Sequence, residues 1–289
     1  MTGAASAPSN GGMRIALAQV VAGTDPTGNL ALVREYATRA VDAGAELVAF
    51  PEAMMASFAT RSADVAEPLD GPWAHGVREV AHGLGIAIVA GMFTPGSPAA
   101  DTPDRKRARN TLLVVDAAGE VAATYDKVHL FDAWGFVESK HVEPGDAPVL
   151  VTLSGVRFGL ATCYDVRFPE LFKHLAHAGA EAILVPASWA NGPGKAEQWR
   201  ALCVARALDS TCFIVAPGQA DPATVGVEAK PGSPTGVGHS VVVNPLGAVL
   251  AEAGASPELV VVDLDTDALA AARERLPVLA TSRFEIAAP

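Results

Sequence analysis

The chain has 289 residues, of which half are apolar and only 18% are charged, so a disordered or highly charged protein is excluded. Lys and Arg number 21 against 32 Asp and Glu, and the formal net charge of −11 would repel a phosphate backbone. Nucleic-acid binding is therefore not expected. Apolar stretches are interrupted well before the ~18 residues that a bilayer-spanning helix needs, and we expect no membrane partner.

The start of the chain, residues 1–12, is small and polar and has neither the basic nor the apolar region of a signal peptide. We predict that residues 1–12 form a flexible tail, that residues 13–289 form a single domain, and that the protein stays in the cytoplasm. Cys163, Cys203 and Cys212 are an odd number of cysteines without metal-binding spacing, which favours reduced thiols over a disulfide framework.

Short β-rich runs alternate with longer helical patterns along the chain, as is typical of α/β proteins. In the first half we predict strands, helices and a closing hairpin in the following order: strand 13–19, helix 29–43, strand 47–51, helix 72–84, strand 85–91, and a hairpin over 111–126 that turns at Ala118-Gly119.

The second half repeats this pattern in the same order. The matching segments are 156–162 for 13–19, 178–186 for 43–51, 212–218 for 85–91 and 240–254 for 111–126, with helices at 169–178 and 196–208. Gly44 and Gly179 each follow a predicted helix at the position of a C-terminal cap. The repeat is written most simply as two βαβαββ units.

Buried strands with helices on one side leave the other face of each sheet apolar. Two such sheets can pack face to face, which predicts a four-layer αββα sandwich with halves related by a pseudo-twofold axis. Two separate α/β domains are the alternative, but no long linker lies near residues 140–156, and we favour one integrated domain.

Three chemically capable side chains follow buried strands, where ligands of α/β sheets are expected. Glu52 follows 47–51, Lys127 follows 121–126 and Cys163 follows 158–162. Singly, these residues have ordinary interpretations as a helix cap, a solvated lysine and a small core residue. Together they form a complete set for amide hydrolysis, namely a nucleophile, a proton acceptor and a positive group for the oxyanion.

The segment after Cys163 resembles a turn from a strand into a helix that begins at Pro169. Backbone N–H groups in such a turn would serve as an oxyanion hole, and we expect them to lower the thiol pKa. A Cys-His hydrolase remains possible from the residues alone, with three candidate partners: His129, His174 and His239. Glu138 by itself is an ordinary loop acid.

At these residues the chain resembles the nitrilase, or carbon-nitrogen hydrolase, superfamily, over residues 13–284. Three motifs carry the resemblance: Ala-Phe-Pro-Glu at 49–52, Tyr-Asp-Lys-Val-His-Leu-Phe at 125–131 and Ala-Thr-Cys-Tyr-Asp-Val-Arg-Phe-Pro-Glu-Leu at 161–171. The segment Phe-Val-Glu-Ser at 136–139 corresponds to the one with the family's second catalytic Glu. The fold that this resemblance implies is the αββα sandwich.

The resemblance implies that Cys163 attacks an amide carbonyl while Glu52 acts as general base and then as acid. It also implies that Lys127 and the Tyr164 backbone N–H stabilise the oxyanion, and that Glu138 orients Lys127 or the substrate. No metal or organic cofactor is implied. Two carboxylates beside one lysine should shift one another's pKa values.

The residues after Cys163 look like those of the omega-amidases and deaminated-glutathione amidases, since true nitrilases typically have Trp-Glu there. We therefore expect a small primary amide that carries a carboxylate, with Arg167 either binding that carboxylate or forming a salt bridge with Glu170 or Asp165. The other predicted substrate-binding residues are Phe131, Tyr164, Ser188 and Trp189.

The chain departs from the pattern of this branch at residues 197–200, where it has Glu-Gln-Trp-Arg and relatives often have His-Trp-Glu. Substrate contacts from that helix are therefore open.

The alternatives to an amidase are a nitrilase, an N-carbamoyl amide hydrolase, or a non-catalytic binding protein of the same fold. The apolar tract at 276–280 favours a homodimer or a larger homo-oligomer, unless it packs on its own domain.

Overall fold

The computed structural model describes residues 12–99, 103–133, 135–229 and 234–284. The predicted tail at 1–12 lies outside the described residues except for Gly12, which begins the first strand.

Two six-stranded sheets and one small ribbon contain the strands. The first sheet consists of β1 (Gly12–Gln19), β2 (Leu47–Ala49), β3 (Ala87–Gly96), β4 (Arg107–Val115), β5 (Val121–Asp126) and β14 (Glu258–Asp265). The second consists of β8 (Val149–Leu153), β9 (Val156–Leu160), β10 (Ala182–Leu184), β11 (Phe213–Ala216), β12 (Val241–Val243) and β13 (Val249–Glu252). The ribbon pairs β6 (Asp132–Ala133) with β7 (Phe136–Val137).

The helices occupy the connections between strands. They are α1 (Pro26–Asp42), α2 (Ser62–Val65), α3 (Pro72–Leu84), α4 (Pro169–His177), α5 (Lys195–Ser210) and α6 (Thr266–Arg275). Short 3-10 turns span Glu138–Lys140, Cys163–Arg167 and Pro222–Val225.

The two sheets have the same topology. The first runs β14-β1-β2-β3-β4-β5, and the second, read from the matching edge, runs β8-β9-β10-β11-β12-β13. In each, three parallel strands are followed by two antiparallel ones, as the sequence repeat predicts. The structure adds an antiparallel edge strand to each half, β14 beside β1 and β8 beside β9, which the repeat did not reveal.

Packing occurs in three layers of apolar side chains. Leu17 and Leu47 of the first sheet share a buried cluster with Phe158 and Leu184 of the second, so the sheets pack face to face. A second cluster joins α1 and α3 to the outer face of the first sheet, and a third joins α4 and α5 to the outer face of the second. This confirms the αββα sandwich.

Local signals explain the helix boundaries. The first helix starts three residues earlier than predicted, because the Asp25 carboxylate accepts from the N–H groups of Thr27 and Gly28 and Pro26 occupies the first turn. Gly44 and Gly179, with φ of +77° and +98°, follow their helices in the left-handed conformation expected of C-terminal caps. None of the described helices is long and apolar enough to cross a membrane.

Candidate active site

Three of the predicted residues meet where strands of both sheets end. Glu52 follows β2 and Lys127 follows β5 in the first sheet, whereas Cys163 follows β9 in the second. The Lys127 Nζ atom lies 3.0 Å from Glu52 Oε1. These residues are buried, with exposed fractions of 1% for Glu52, 2% for Lys127 and 8% for Cys163.

Glu138 completes a buried ionic cluster. It begins the 3-10 turn after β7, and its Oε2 and Oε1 atoms lie 3.0 and 3.2 Å from Lys127 Nζ. Two carboxylates thus share one ammonium.

Asn110, in the middle of β4, is a member of the site that the sequence reasoning missed. Its Nδ2 atom lies 2.8 Å from Glu52 Oε1 and 3.4 Å from Glu138 Oε1. Its backbone oxygen accepts from the Lys127 N–H at 2.9 Å. Asn110 and Lys127 therefore bridge the same two carboxylates from two sides. In the sequence Asn110 lies between Arg109 and Thr111, so the pattern of residue types in β4 gave no signal for it.

Backbone N–H groups hold the remaining carboxylate oxygens. The Ser188 N–H donates to Glu52 Oε2 at 2.8 Å, and the Phe131 N–H donates to Glu138 Oε2 at 2.6 Å. Since every carboxylate oxygen has at least one donor, both acids are fixed in orientation.

The chain folds back closely at Glu52. The next residue, Ala53, has φ of +56°, and Gly91 of β3 lies directly beneath. A Cβ atom at Gly91 would be 2.6 Å from the Ala53 nitrogen and 2.9 Å from the Glu52 Cα. Gly91 is therefore required for the backbone to approach β3 at this point. Gln219 also donates to the Glu52 carbonyl oxygen at 3.0 Å.

Cys163 occupies a strained turn. Its φ is +46°, and its N–H donates to the Pro186 carbonyl oxygen at 2.8 Å. The 3-10 turn Cys163–Arg167 then leads into α4 at Pro169, as the sequence predicts. Positive φ is uncommon for a residue with a side chain, and such strain concentrates at functional sites.

The expectation of a lowered thiol pKa is wrong. Burial raises the pKa of the Cys163 thiol well above its ordinary value, and the negative charge of Glu52 adds to this effect. Lys127 and the Ser188 N–H lower the pKa of the thiol, but by less than burial and Glu52 raise it. Cys163 is therefore a protonated thiol beside a carboxylate, and it needs a proton acceptor at the moment of attack.

Lys127 remains charged in this environment. Burial alone would lower the pKa of its ammonium, but the charges of Glu138 and Glu52 outweigh burial and raise the pKa well above its ordinary value. The site thus combines a neutral nucleophile, an acceptor and a permanent cation.

Two of the three candidate histidines have other partners. The His129 ring lies 2.7 Å from Asp165 Oδ1 and stacks on Phe168 at 3.7 Å between centroids, and the His239 ring lies 3.3 Å from Glu252. Neither these two nor His174 of α4 is among the described residues that line the cleft at Cys163. The Cys-His alternative is therefore not supported.

A cleft leads to Cys163. It is lined by the four predicted catalytic residues, by all five predicted substrate-binding residues (Phe131, Tyr164, Arg167, Ser188 and Trp189), and by five others: Phe58, Phe136, Ala190, Lys195 and Pro234.

Arg167 contacts Gln198 and Trp189. Its Nη2 atom donates to Gln198 Oε1 at 2.6 Å, and its Cζ lies 4.9 Å from the centre of the Trp189 ring. Among the described ion pairs Asp165 is joined to His129, and the choice for Arg167 between a substrate carboxylate and a salt bridge stays a prediction. The departing segment 197–200 thus reaches the site through Gln198.

Residues 14–274 match the family described as Carbon-nitrogen hydrolase. A Mycobacterium tuberculosis protein named only as a hydrolase is 53% identical over 271 residues, which cover 92% of this chain and 94% of that protein. A deaminated glutathione amidase of Escherichia coli O157:H7 is 32% identical over 261 residues, covering 89% and 92%. The chain therefore belongs to the carbon-nitrogen hydrolase family, the nitrilase superfamily, and is an enzyme of that family.

Solved structures agree with this assignment. The NitN amidase of Neterenkonia sp. AN1 superposes with a TM-score of 0.74 at 31% identity, covering 94% of this chain and 96% of that one. Saccharomyces cerevisiae Nit3, a member of the nitrilase superfamily, gives a TM-score of 0.79 at 26% identity, covering 97% and 100%.

Proposed function

We propose that this enzyme hydrolyses a small primary amide that carries a carboxylate, through a thioester on Cys163. The observation that carries the proposal is that Cys163 lines one cleft together with the ion-paired cluster of Glu52, Lys127 and Glu138. Such a set supplies a nucleophile, a base and an oxyanion partner without a further group.

In the first step Glu52 takes the thiol proton as Cys163 Sγ bonds to the amide carbon. The negative charge passes to the carbonyl oxygen, which the Lys127 ammonium and the Tyr164 N–H stabilise. Glu52 then returns the proton to the amide nitrogen, the carbon–nitrogen bond breaks, and ammonia leaves a thioester.

In the second step Glu52 takes a proton from water, and the resulting hydroxide attacks the thioester carbon. The carbon–sulfur bond breaks, the sulfur regains a proton from Glu52, and the carboxylic acid is released. Glu138 holds Lys127 throughout, because it touches the ammonium with both oxygens. We assign Glu138 a positioning role.

The relatives support a cysteine mechanism on an amide. Another structure of the Nesterenkonia amidase, a mutant at 30% identity and a TM-score of 0.76, has the acetamide moiety of fluoroacetamide added covalently at its active-site cysteine. The carboxylate preference is supported by the cation Arg167 in the cleft wall and by the relatives named deaminated glutathione amidase.

The decisive experiment is ammonia release from a panel of small amides, N-carbamoyl compounds and nitriles. We expect turnover of primary amides, most of all those with a carboxylate, and none by Cys163→Ala. Faster turnover of nitriles or of N-carbamoyl compounds would replace the amide proposal by one of those activities. Binding without turnover of any of these compounds would overturn the amide proposal.

Arg167 gives a second test of the substrate class. Lys lacks the bidentate geometry of Arg, so Arg167→Lys should lower kcat/KM for acidic amides by about 1.5–3 kcal/mol of charge-assisted hydrogen bonding and hardly affect neutral amides. Equal losses of kcat/KM on acidic and neutral amides would mean that Arg167 supports the turn through Gln198 instead.

We also propose a homodimer or larger homo-oligomer in the cytoplasm. In the tract 276–280, Leu276 is 40% exposed, whereas Leu279 packs on the cluster beneath α4 and α5. A monomeric mass by light scattering at micromolar concentration would contradict the assembly.

A further inference from the structure

A second cation, Lys195, lies in the same wall of the cleft as Arg167. Both are placed against the Trp189 ring, with Arg167 Cζ at 4.9 Å and Lys195 Nζ at 5.8 Å from its centre. The Trp189 Nε1–H donates to the Lys195 carbonyl oxygen at 3.1 Å, which fixes the lysine backbone relative to the ring. The two positive charges are therefore held near one another by a shared, buried aromatic side chain.

The surroundings of Lys195 disfavour its charge. Burial lowers the pKa of its ammonium, and the positive charge of Arg167 lowers it further. Lys195 is also the first residue of α5, where the helix dipole is unfavourable to a cation. An anion in the cleft would relieve the repulsion between these two cations, and their sign is opposite to the net charge of −11 on the whole chain.

The remainder of the cleft fits a short apolar chain. Phe58, Phe131 and Phe136 contribute aromatic surface, and the reacting thiol of Cys163 lies in the same cleft. Lys195 and Cys163 both line this cleft, so one small molecule can contact the cation and the nucleophile together.

We infer that Lys195 acts together with Arg167 to bind the carboxylate of the substrate, and that Lys195 is a specificity-determining residue that selects acidic over neutral amides. The inference rests on the proposed function for the identity of the reacting amide. Arg167 supplies a planar fork and Lys195 a point charge, so together they can satisfy both oxygens of one carboxylate.

Binding tests the inference without turnover. In the Cys163→Ala chain, calorimetry would give the Kd of succinic acid monoamide and of its uncharged methyl ester. Adding Lys195→Met, which keeps an unbranched apolar side chain and removes the charged end, should weaken binding of the acid by tenfold or more and binding of the ester by less than about twofold. With Lys195→Arg the Kd of the acid should stay within about threefold of the parent value. Lys173→Met on α4, outside the cleft lining, should change the Kd of neither ligand.

Three results would overturn the inference: similar losses of affinity for the acid and the ester in Lys195→Met, no loss of affinity for the acid, or no binding of the acid by the parent chain. The proposed function has a separate readout, which is ammonia release by the chain with Cys163 intact. Turnover without an effect of Lys195→Met on acid binding would remove the inference alone. Discrimination by Lys195 without any turnover would remove the amidase proposal alone.

Discussion

Asp165 accepts two hydrogen bonds from His129, at 3.0 Å from its backbone N–H and at 2.7 Å from its ring Nδ1. Because a carboxylate only accepts, Nδ1 carries the proton. The other Asp165 oxygen accepts from the Tyr125 hydroxyl at 2.7 Å and the Thr162 N–H at 2.8 Å. Asp165 lies two residues after the nucleophile, and His129 lies two residues after Lys127, so this pairing sets the distance between the two segments.

Replacement of the three cysteines should separate one reactive thiol from two structural ones. Cys163→Ala should abolish amide hydrolysis and leave the fold intact, because it removes the nucleophile and little volume. Cys203→Ala and Cys212→Ala should lower stability rather than rate, since both side chains are fully buried in the core. Ammonia release and urea unfolding on each variant check this. Significant turnover by Cys163→Ala would disprove the nucleophile assignment.

Gly91→Ala should inactivate the enzyme by displacing Glu52. The added methyl group would meet backbone atoms of Glu52 and Ala53 at 3.0 Å or less, and backbone cannot move aside cheaply. We expect a loss of 1–3 kcal/mol in stability, on the order of other overpacked sites, and a large fall in kcat. Gly83→Ala is the matched control, because a methyl group there meets nothing within 4 Å on an exposed part of α3.

The control should be stabilised, by at most about 1 kcal/mol, with unchanged kcat. Normal kcat in Gly91→Ala would show that Glu52 does not depend on this close approach.

Asn110→Ala should lower kcat much more than it raises KM. Its amide orients both carboxylates but is not among the cleft-lining residues. Loss of such an oriented hydrogen bond costs about 2–3 kcal/mol, or roughly 10²-fold in rate. Asn29→Ala, which removes a buried amide bonded to Gly23 and Met55, should reduce stability without changing kcat. Equal kcat in the two variants would exclude a positioning role for Asn110.

Stability should decline in alkaline solution. The pKa values of Cys163, Cys203 and Cys212 are raised, by burial first, so the folded state keeps these thiols protonated while the unfolded chain ionises them. Their contribution is complete below an unfolded thiol pKa of about 8.5 and is lost as the pH rises above it. The raised pKa of Lys127 acts in the same direction at higher pH.

Urea unfolding between pH 7 and 10 measures this decline. Above about pH 8.5, Cys203→Ala should reduce the slope by about 1.4 kcal/mol per pH unit, the share of one thiol. An unchanged slope would show that Cys203 ionises equally in both states.

Sequence reasoning located the residues whose position follows from chain order. Glu52, Lys127 and Cys163 come directly after strands, and the end of a strand is visible in the pattern of apolar residues. Asn110 and Lys195 were not found, because their roles depend on which strands and helices lie side by side. Asn110 points to no function until β4 is placed beside Glu52 and Glu138. The raised thiol pKa was missed for a related reason, since burial depends on the packing of both sheets.

The two halves repeat one architecture, but they do not repeat the reacting groups at matching positions. When 13–19 is aligned with 156–162, Cys163 corresponds to Val20. When 43–51 is aligned with 178–186, Glu52 corresponds to Ala187. Val20 and Ala187 are sealed in the core, with 1% and 0% of their surface exposed. Duplicated architecture has therefore not duplicated the chemistry at these positions, and each chain should accept one acyl equivalent in a titration of its reactive thiol.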